Sequence, residues 1–299
     1  MRILVVGAGG QVGGKLAAQA RDAGHSVHGT YRLRPPALDG VELGVLDKTK
    51  AAEVAATVRQ VAPDAVVDTG ALHNVDYCEA HPDEAMAVNR DGTRLLAAAA
   101  HERKARFVFV STDFVFDGSG HPPYRESDAP HPQSVYARSK LAGERAVLAA
   151  LPEAVVVRSA WVYTGGTGKD FVAVMRRLAA SDGPVDVVDD QIGSPTYVAD
   201  LAAALLQVAD AGVHGRVLHA ANEGAVSRFE QARAVFEECG AEPQRVRPVS
   251  SAQFPRPAPR PSYSALSSRE SVAAGLTPLR PWRSALVDAL AATPGGTSA

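Results

Sequence analysis

Apolar residues along this chain fall into short runs separated by longer stretches of helical period. Arg2-Ile-Leu-Val-Val6 is a β-branched run that stops at a glycine, as a buried parallel strand does. A helical pattern follows over 15–22, then strand candidates at 26–31, 41–46 and 65–68, with a helix over 51–61. A long helical segment over 82–102 leads to a fifth strand, Arg106-Phe-Val-Phe-Val110. Strands alternating with helices of this length predict an α/β fold built on a doubly wound parallel sheet. Right-handed crossovers then bring the carboxyl end of every strand to one edge, where ligands bind. Gly7, Thr30, Asp47, Thr69 and Ser111 all fall on that edge. Beyond Ala160 the pattern turns irregular, with helices expected over 170–180, 197–210 and 229–239 and a strand over 216–220. The expected organisation is a dinucleotide-binding Rossmann core over 1–160, rejoined by 197–222. A smaller α+β substrate-binding lobe takes 161–196 and 223–292, and 293–299 form a disordered tail.

Composition narrows the class without changing the fold. With 46% hydrophobic and 21% charged residues over 299 positions, the chain reads as an ordinary soluble globular protein. A net charge of -2 and the lack of a basic run argue against nucleic acid or an anionic membrane as partner. No stretch approaches the roughly 20 apolar residues of a membrane span, and the apolar start is too short for a secretory signal. Cys78 and Cys239 stand too far apart in sequence for a metal spacing or a disulfide framework. A cytoplasmic location and no bound metal are the expectations.

The candidate chemistry gathers at the expected sheet edge. Gly7-x-x-Gly10-x-x-Gly13 follows the first strand and opens a helix. Its glycines allow a tight bend, backbone approach to a pyrophosphate and close helix packing, while the helix N-terminus offers free N–H groups to the anion. Gly7, Gly10, Gln11, Val12 and Gly13 are therefore candidate cofactor contacts, as are Asp47 near the adenine and Gly70 and Ala71 in the turn after the fourth strand. An acid usually ends the second strand of an NAD site, but 25–38 holds none and supplies Arg32 and Arg34 instead. Guanidinium forks suit a 2′-phosphate, so NADPH is the expected cofactor, with NADH as the alternative. Tyr136 and Lys140 lie four apart on one helical face, so a phenol and an ammonium can serve one site. The ammonium is expected to pull the phenol down from its ordinary pKa of about 10. Ser111-Thr112-Asp113 ends the fifth strand, where hydroxyls can bond a substrate carbonyl oxygen.

Assembled, these motifs resemble the extended short-chain dehydrogenases/reductases, and among them the dTDP-4-dehydrorhamnose reductase family. The resemblance is carried by the glycine turn, Ser111-Thr-Asp-Phe-Val-Phe-Asp-Gly118 and Tyr136-x-x-x-Lys140-Leu-Ala-Gly-Glu144. It continues through Arg158-Ser-Ala-Trp161-Val-Tyr163, Val188-Asp-Asp-Gln191-Ile-Gly193-Ser-Pro195-Thr196 and Arg260-Pro-x-x-Ser264-x-Leu266. It implies NADPH-dependent reduction of the 4-keto group of a nucleotide-linked 6-deoxyhexose. Thr112, Tyr136 and Lys140 would be the catalytic set: Tyr136 would donate the proton and Lys140 would hold the nicotinamide ribose. Asp113 would lie in the pocket, Trp161 would face the hexose, and Gln191 and Arg260 would place the diphosphate. The expected protein is a monomer or homodimer acting on a small nucleotide sugar.

Three departures from the family pattern stand out. Asp68-Thr-Gly-Ala71 replaces the usual Asn-Ala-Ala-Ala, Lys15 replaces an acid that serves an intersubunit metal in some members, and Ser267 replaces an aspartate. The run Asn74-Val-Asp-Tyr-Cys-Glu79 also resembles the regulatory β subunit of methionine adenosyltransferase, so a non-catalytic NADP-binding protein is the second reading. A reductase or epimerase of another nucleotide sugar is the third. The proline-rich stretch 254–261 is expected to wall the substrate site rather than to serve as a polyproline ligand.

Overall fold

The computed structural model describes residues 1–120, 122–166, 168–210, 213 and 216–292. The expected disordered tail, 293–299, lies outside them. The first half of the chain alternates strands and helices, except that β3 follows β2 directly: β1 (Arg2–Val6), α1 (Gln11–Asp22), β2 (Ser26–Tyr31), β3 (Glu42–Val45), α2 (Ala51–Val61) and β4 (Ala65–Asp68). Then come α3 (Val75–Ala80), α4 (Pro82–Met86), α5 (Thr93–Arg103), β5 (Arg106–Thr112), α6 (Val135–Ala150) and β6 (Val155–Ser159). After β7 (Val162–Tyr163), α7 (Phe171–Ala179), β8 (Val185–Val188), β9 (Ile192–Gly193), β10 (Thr196–Tyr197) and α8 (Val198–Ala209), the chain adds β11 (Val217–His219). It closes with β12 (Val226–Ser227), α9 (Arg228–Glu238), β13 (Val246–Val249), α10 (Arg269–Ala273) and α11 (Trp282–Ala291).

Seven strands form one parallel sheet in the order β11-β6-β5-β4-β1-β2-β3. Burial on both faces explains the uninterrupted apolar runs: Ile3, Leu4, Val5, Val66 and Val67 have no exposed surface. On one face α1 and α8 pack Leu16, Ala20, Leu201 and Leu205 against Ile3, Val5 and Val67. On the other, Val54 and Val58 of α2, Leu96 and Ala100 of α5 and Val147 of α6 cover Leu4, Phe107 and Phe109. Each of the valine, leucine, isoleucine and phenylalanine side chains among them stabilises the fold by roughly 1.5–3 kcal/mol relative to exposure. The order reverses between β1 and β4, the crevice at which open α/β sheets bind ligands.

Two elements differ from the sequence pattern, each for a local reason. Helix α1 begins at Gln11, ahead of the expected Lys15, because Gly13 and Gly14 hide its first turn from propensity. The segment 82–102 is not one helix: residues Ala87–Gly92 form a π-helical turn between α4 and α5. That extra residue turns Asn89 fully inward, and π-turns recur at functional sites.

Residues outside the large sheet pair as β7 with β10, β8 with β13, and β9 with β12. Helices α7, α9 and α11 pack over Tyr163, Tyr197, Val235 and Leu286 in a separate apolar cluster. Ser227 and Glu230 close a reciprocal capping box that fixes where α9 starts. Among the described residues no helix is long and apolar enough to cross a membrane.

Candidate active site

The glycine turn is built as the spacing predicts. Gly7 has φ +87°, and a side chain at Gly13 would come within 2.3 Å of the Gly7 carbonyl oxygen. The Gly10 N-cap carries no side-chain acceptor and the first turn of α1 no acid, so its N–H groups remain open to an anion. A cavity beside it is lined by Gly7, Arg32, Asp47, Lys48, Gly70 and Ala71. Arg32 is thus at the cavity and Arg34 is not among its walls. Asp47 accepts bonds from the Thr49 hydroxyl at 2.7 Å and backbone N–H at 3.0 Å, which hold its carboxyl below the usual range against some burial. Val12 packs into the core beside α8, and Gln11 gives its amide to Asp170 at 3.2 Å, tying the turn to the N-cap of α7. The cradle, the open helix end and the guanidinium fit a dinucleotide.

Beneath this cavity lies a group that sequence reading did not single out. Lys48 Nζ donates to Asp68 Oδ2 at 2.6 Å, to the Gly70 carbonyl at 2.6 Å and to Thr93 Oγ1 at 2.9 Å. Asp68 also accepts from Gly70 N–H at 3.0 Å and Thr93 Oγ1 at 2.9 Å. Asp68 was legible as a departure; its partner, twenty residues earlier, sat unnoticed in the turn after the third strand.

Strand β5 delivers Thr112 and Asp113, and α6 delivers Tyr136 and Lys140. Ser134 caps α6 by accepting from Ala137 N–H at 3.2 Å, which places Tyr136 in the first turn. Helix α6 lies so close to the π-turn that a side chain at Gly143 would come within 2.3 Å of the Asn89 carbonyl. Asn89 in turn bonds Ser139 at 2.9 Å and both backbone groups of Leu72, fixing the helix that carries the pair. Thr112 is within hydrogen-bonding reach of the Tyr136 phenol. Its hydroxyl also donates to Asp113 Oδ1 at 3.1 Å, and Ser264 donates to Asp113 Oδ2 at 2.5 Å. Ser111 is structural: it donates to Glu144 at 2.5 Å, within the buried Glu144–Arg158 pair.

The electrostatics differ from expectation at Tyr136. Burial pushes its phenol well above the ordinary range, Thr112 opposes that shift, and the Asp113 charge adds to it. The expected depression by Lys140 is not present in this structure. Lys140 Nζ is bonded to the Val110 carbonyl at 2.6 Å and sits 3.9 Å over the Phe109 ring. Burial, and next the nearby Lys48 ammonium, lower the Lys140 pKa to about 7. Burial raises Asp113 to about 6.

On the substrate side, Trp161 is held at φ +47°, a left-handed conformation that a tryptophan rarely adopts. Its ring packs on Gly193, where a side chain would lie 2.4 Å away, and the Arg228 guanidinium covers it at 3.5 Å. Gln191 contributes its backbone carbonyl to Arg228 N–H at 3.1 Å. Arg260 forms a two-pronged pair with Asp76 at 2.9 and 3.0 Å, so the 254–261 stretch is clamped to α3. The run Asn74–Glu79 is spent on structure: Asn74 caps α3, Asp76 holds Arg260, and Glu79 accepts from Val135 N–H at 2.9 Å. Arg228 and Asn89 escaped sequence reading; the first looks like a surface helix start and the second like a mid-helix polar residue.

A phosphate-binding turn at the reversal of a parallel sheet, feeding a threonine, tyrosine and lysine on the adjoining strand and helix, defines an extended short-chain dehydrogenase/reductase. More narrowly, the chain belongs to the family described as the RmlD substrate binding domain, whose model matches residues 1–294. It is 61% identical to a dTDP-4-dehydrorhamnose reductase of Mycobacterium tuberculosis, over 99% of this chain and 95% of that protein. It is 41% identical to a probable dTDP-4,6-dihydroxy-2-methyloxan-3-one 4-ketoreductase of Streptomyces antibioticus, over 97% and 94%. The crystal structure of a Bacillus anthracis dTDP-4-dehydrorhamnose reductase in complex with NADP superposes with a TM-score of 0.85 at 32% identity, covering 98% and 99%.

Proposed function

We propose that this protein reduces dTDP-4-dehydrorhamnose to dTDP-rhamnose with NADPH. The observation that carries the reading is the Tyr136 phenol beside Thr112, next to a built dinucleotide cradle, in a chain of this family. NADPH, when bound, supplies the hydride that reaches the keto carbon. Tyr136 gives its proton to the developing alkoxide; burial keeps the phenol fully protonated, and so loaded as a donor, across the physiological range. Thr112 turns its hydroxyl from Asp113 to the same oxygen, a move that leaves Asp113 the Ser264 bond. Lys140 orients the nicotinamide ribose, and with a pKa near 7 its ammonium is within reach of both protonation states at neutrality.

The test is NADPH oxidation with dTDP-4-dehydrorhamnose, wild type against Tyr136→Phe. The phenylalanine variant should lose roughly 10²–10⁴-fold in kcat while NADPH still binds. Unchanged turnover would remove Tyr136 from the mechanism, and a wild type inert toward any keto-sugar nucleotide would remove the reductase reading. The 41% identity to a ketoreductase named for a different dTDP-sugar favours one second reading, a tailoring reductase of another 4-keto sugar. A panel of dTDP-4-keto sugars, ranked by kcat/KM, separates the two.

A further inference from the structure

Four cations around this cleft are answered by protein oxygens. Lys48 has Asp68, Arg158 has Glu144, Arg260 has Asp76, and Lys140 has the Val110 carbonyl. Arg228 has no carboxylate within ion-pair distance among the described residues. Its Nη1 donates to Gln231 Oε1 at 3.2 Å, and the remaining guanidinium donors meet no acceptor that the described residues provide. The residue is half-buried, with its guanidinium carbon 3.5 Å from the centre of the Trp161 ring and 4.8 Å from that of Phe171. Burial pushes its pKa down to about 9, and the only charge acting the other way is Asp113, already bonded to Ser264 and Thr112. A guanidinium held against two aromatic rings, and given no carboxylate by the fold, is placed to take its anion from a ligand.

We propose that Arg228, and not Arg260, receives the diphosphate of the nucleotide sugar, an assignment that rests on the reductase reading above. A hexose hydroxyl is neutral and leaves the cation uncompensated; a diphosphate offers paired oxygens that match the guanidinium fork. Trp161 and Phe171 hold the guanidinium plane, and the Gln191 carbonyl fixes its backbone, so the fork is oriented before the ligand arrives. Arg260 is poorly suited to the task because Asp76 takes both of its terminal nitrogens. The placement of Arg228 beside Trp161 also puts the diphosphate next to the ring expected to face the hexose, as one continuous nucleotide sugar requires.

The experiment measures binding of dTDP, thymidine and NADPH to the full-length protein, wild type against Arg228→Met, Arg228→Lys and Arg260→Met. Loss of one charge-assisted contact predicts dTDP binding weakened about 10–100-fold in Arg228→Met. Thymidine and NADPH should bind that variant as they bind the wild type, Arg228→Lys should fall between the two, and Arg260→Met should lose less than Arg228→Met. Equal dTDP affinity in wild type and Arg228→Met overturns the assignment, as does a larger loss in Arg260→Met. Should Arg228→Met fail to fold, Arg228→Gln carries the same comparison. A wild type that binds NADPH but neither dTDP nor any keto-sugar nucleotide fails the reductase reading itself, an outcome distinct from a failure of Arg228 alone.

Discussion

The buried Lys48–Asp68 pair makes a quantitative prediction about a position where the chain departs from its family. Lys48 is 7% exposed and Asp68 not at all, and their charged atoms lie 2.6 Å apart. At an effective dielectric of 20 the direct attraction is about 6 kcal/mol, most of it offset by desolvation of both groups. Lys48→Met keeps the length of the side chain and removes the charge, leaving Asp68 buried with only the Gly70 N–H and Thr93 hydroxyl as donors. Removing one partner of such a pair costs about 3–5 kcal/mol, and the two surviving donors place this case near 3. Asp68→Asn added to Lys48→Met removes the orphaned charge, so the double variant should return to within about 1 kcal/mol of wild type. Urea unfolding followed by far-ultraviolet circular dichroism measures all four proteins of the cycle. The reasoning is refuted if Lys48→Met loses less than about 1 kcal/mol, or if the double variant is less stable than the single one. NADPH affinity should follow the same order, because Lys48 and Asp68 grip the carbonyl and the N–H of Gly70 in the wall of the cavity proposed to take the cofactor.

Two further expectations concern charge. Arg32→Ala should weaken NADPH by about tenfold or more and NADH little, since only the former carries the 2′-phosphate; equal losses would take Arg32 out of that role. Asp113 titrates near 6 in the fold against 3.8 unfolded, so the native state binds this proton more tightly. The stability it contributes is complete below the unfolded value and lost as pH rises through about 6, a difference of about 3 kcal/mol. Stability of wild type relative to Asp113→Asn should fall by that amount between pH 3.5 and 7; parallel stability curves would contradict the burial argument.

What the sequence disclosed were features with a short range. The parallel strands, the glycine turn and the Tyr136–Lys140 helix each announce themselves within about a dozen residues, through period, glycine spacing or i,i+4 geometry. The gathering of Gly7, Asp47 and Gly70 around one cavity followed from placing strand ends on one edge. What stayed hidden depends on distant partners. Nothing near Arg260 shows that Asp76 will occupy it, and nothing near Arg228 shows that Trp161 will lie beneath it. The π-turn was invisible for a related reason: Ala87–Gly92 keeps helical composition, and only the inward Asn89 reveals the extra residue.

The same distinction bears on how the tyrosine works. Spacing alone suggested that Lys140 tunes Tyr136, yet the folded helix sends the ammonium to the Val110 carbonyl, and burial dominates the phenol. A phenol raised in this way is a secure proton reservoir but a reluctant acid. The reluctance is tolerable only if the charge developing on the substrate oxygen is stabilised by other donors, and Thr112 is in hydrogen-bonding reach of the phenol. On this view the catalytic set is not a tyrosine lowered by a lysine. In the proposed mechanism it is instead a buried tyrosine whose proton moves when the alkoxide forms, with Thr112 sharing the oxygen and Lys140 holding the cofactor. The buried Asp113 then matters as the group that holds Thr112 in the free enzyme, and Ser264 as the partner that keeps Asp113 satisfied once Thr112 turns away.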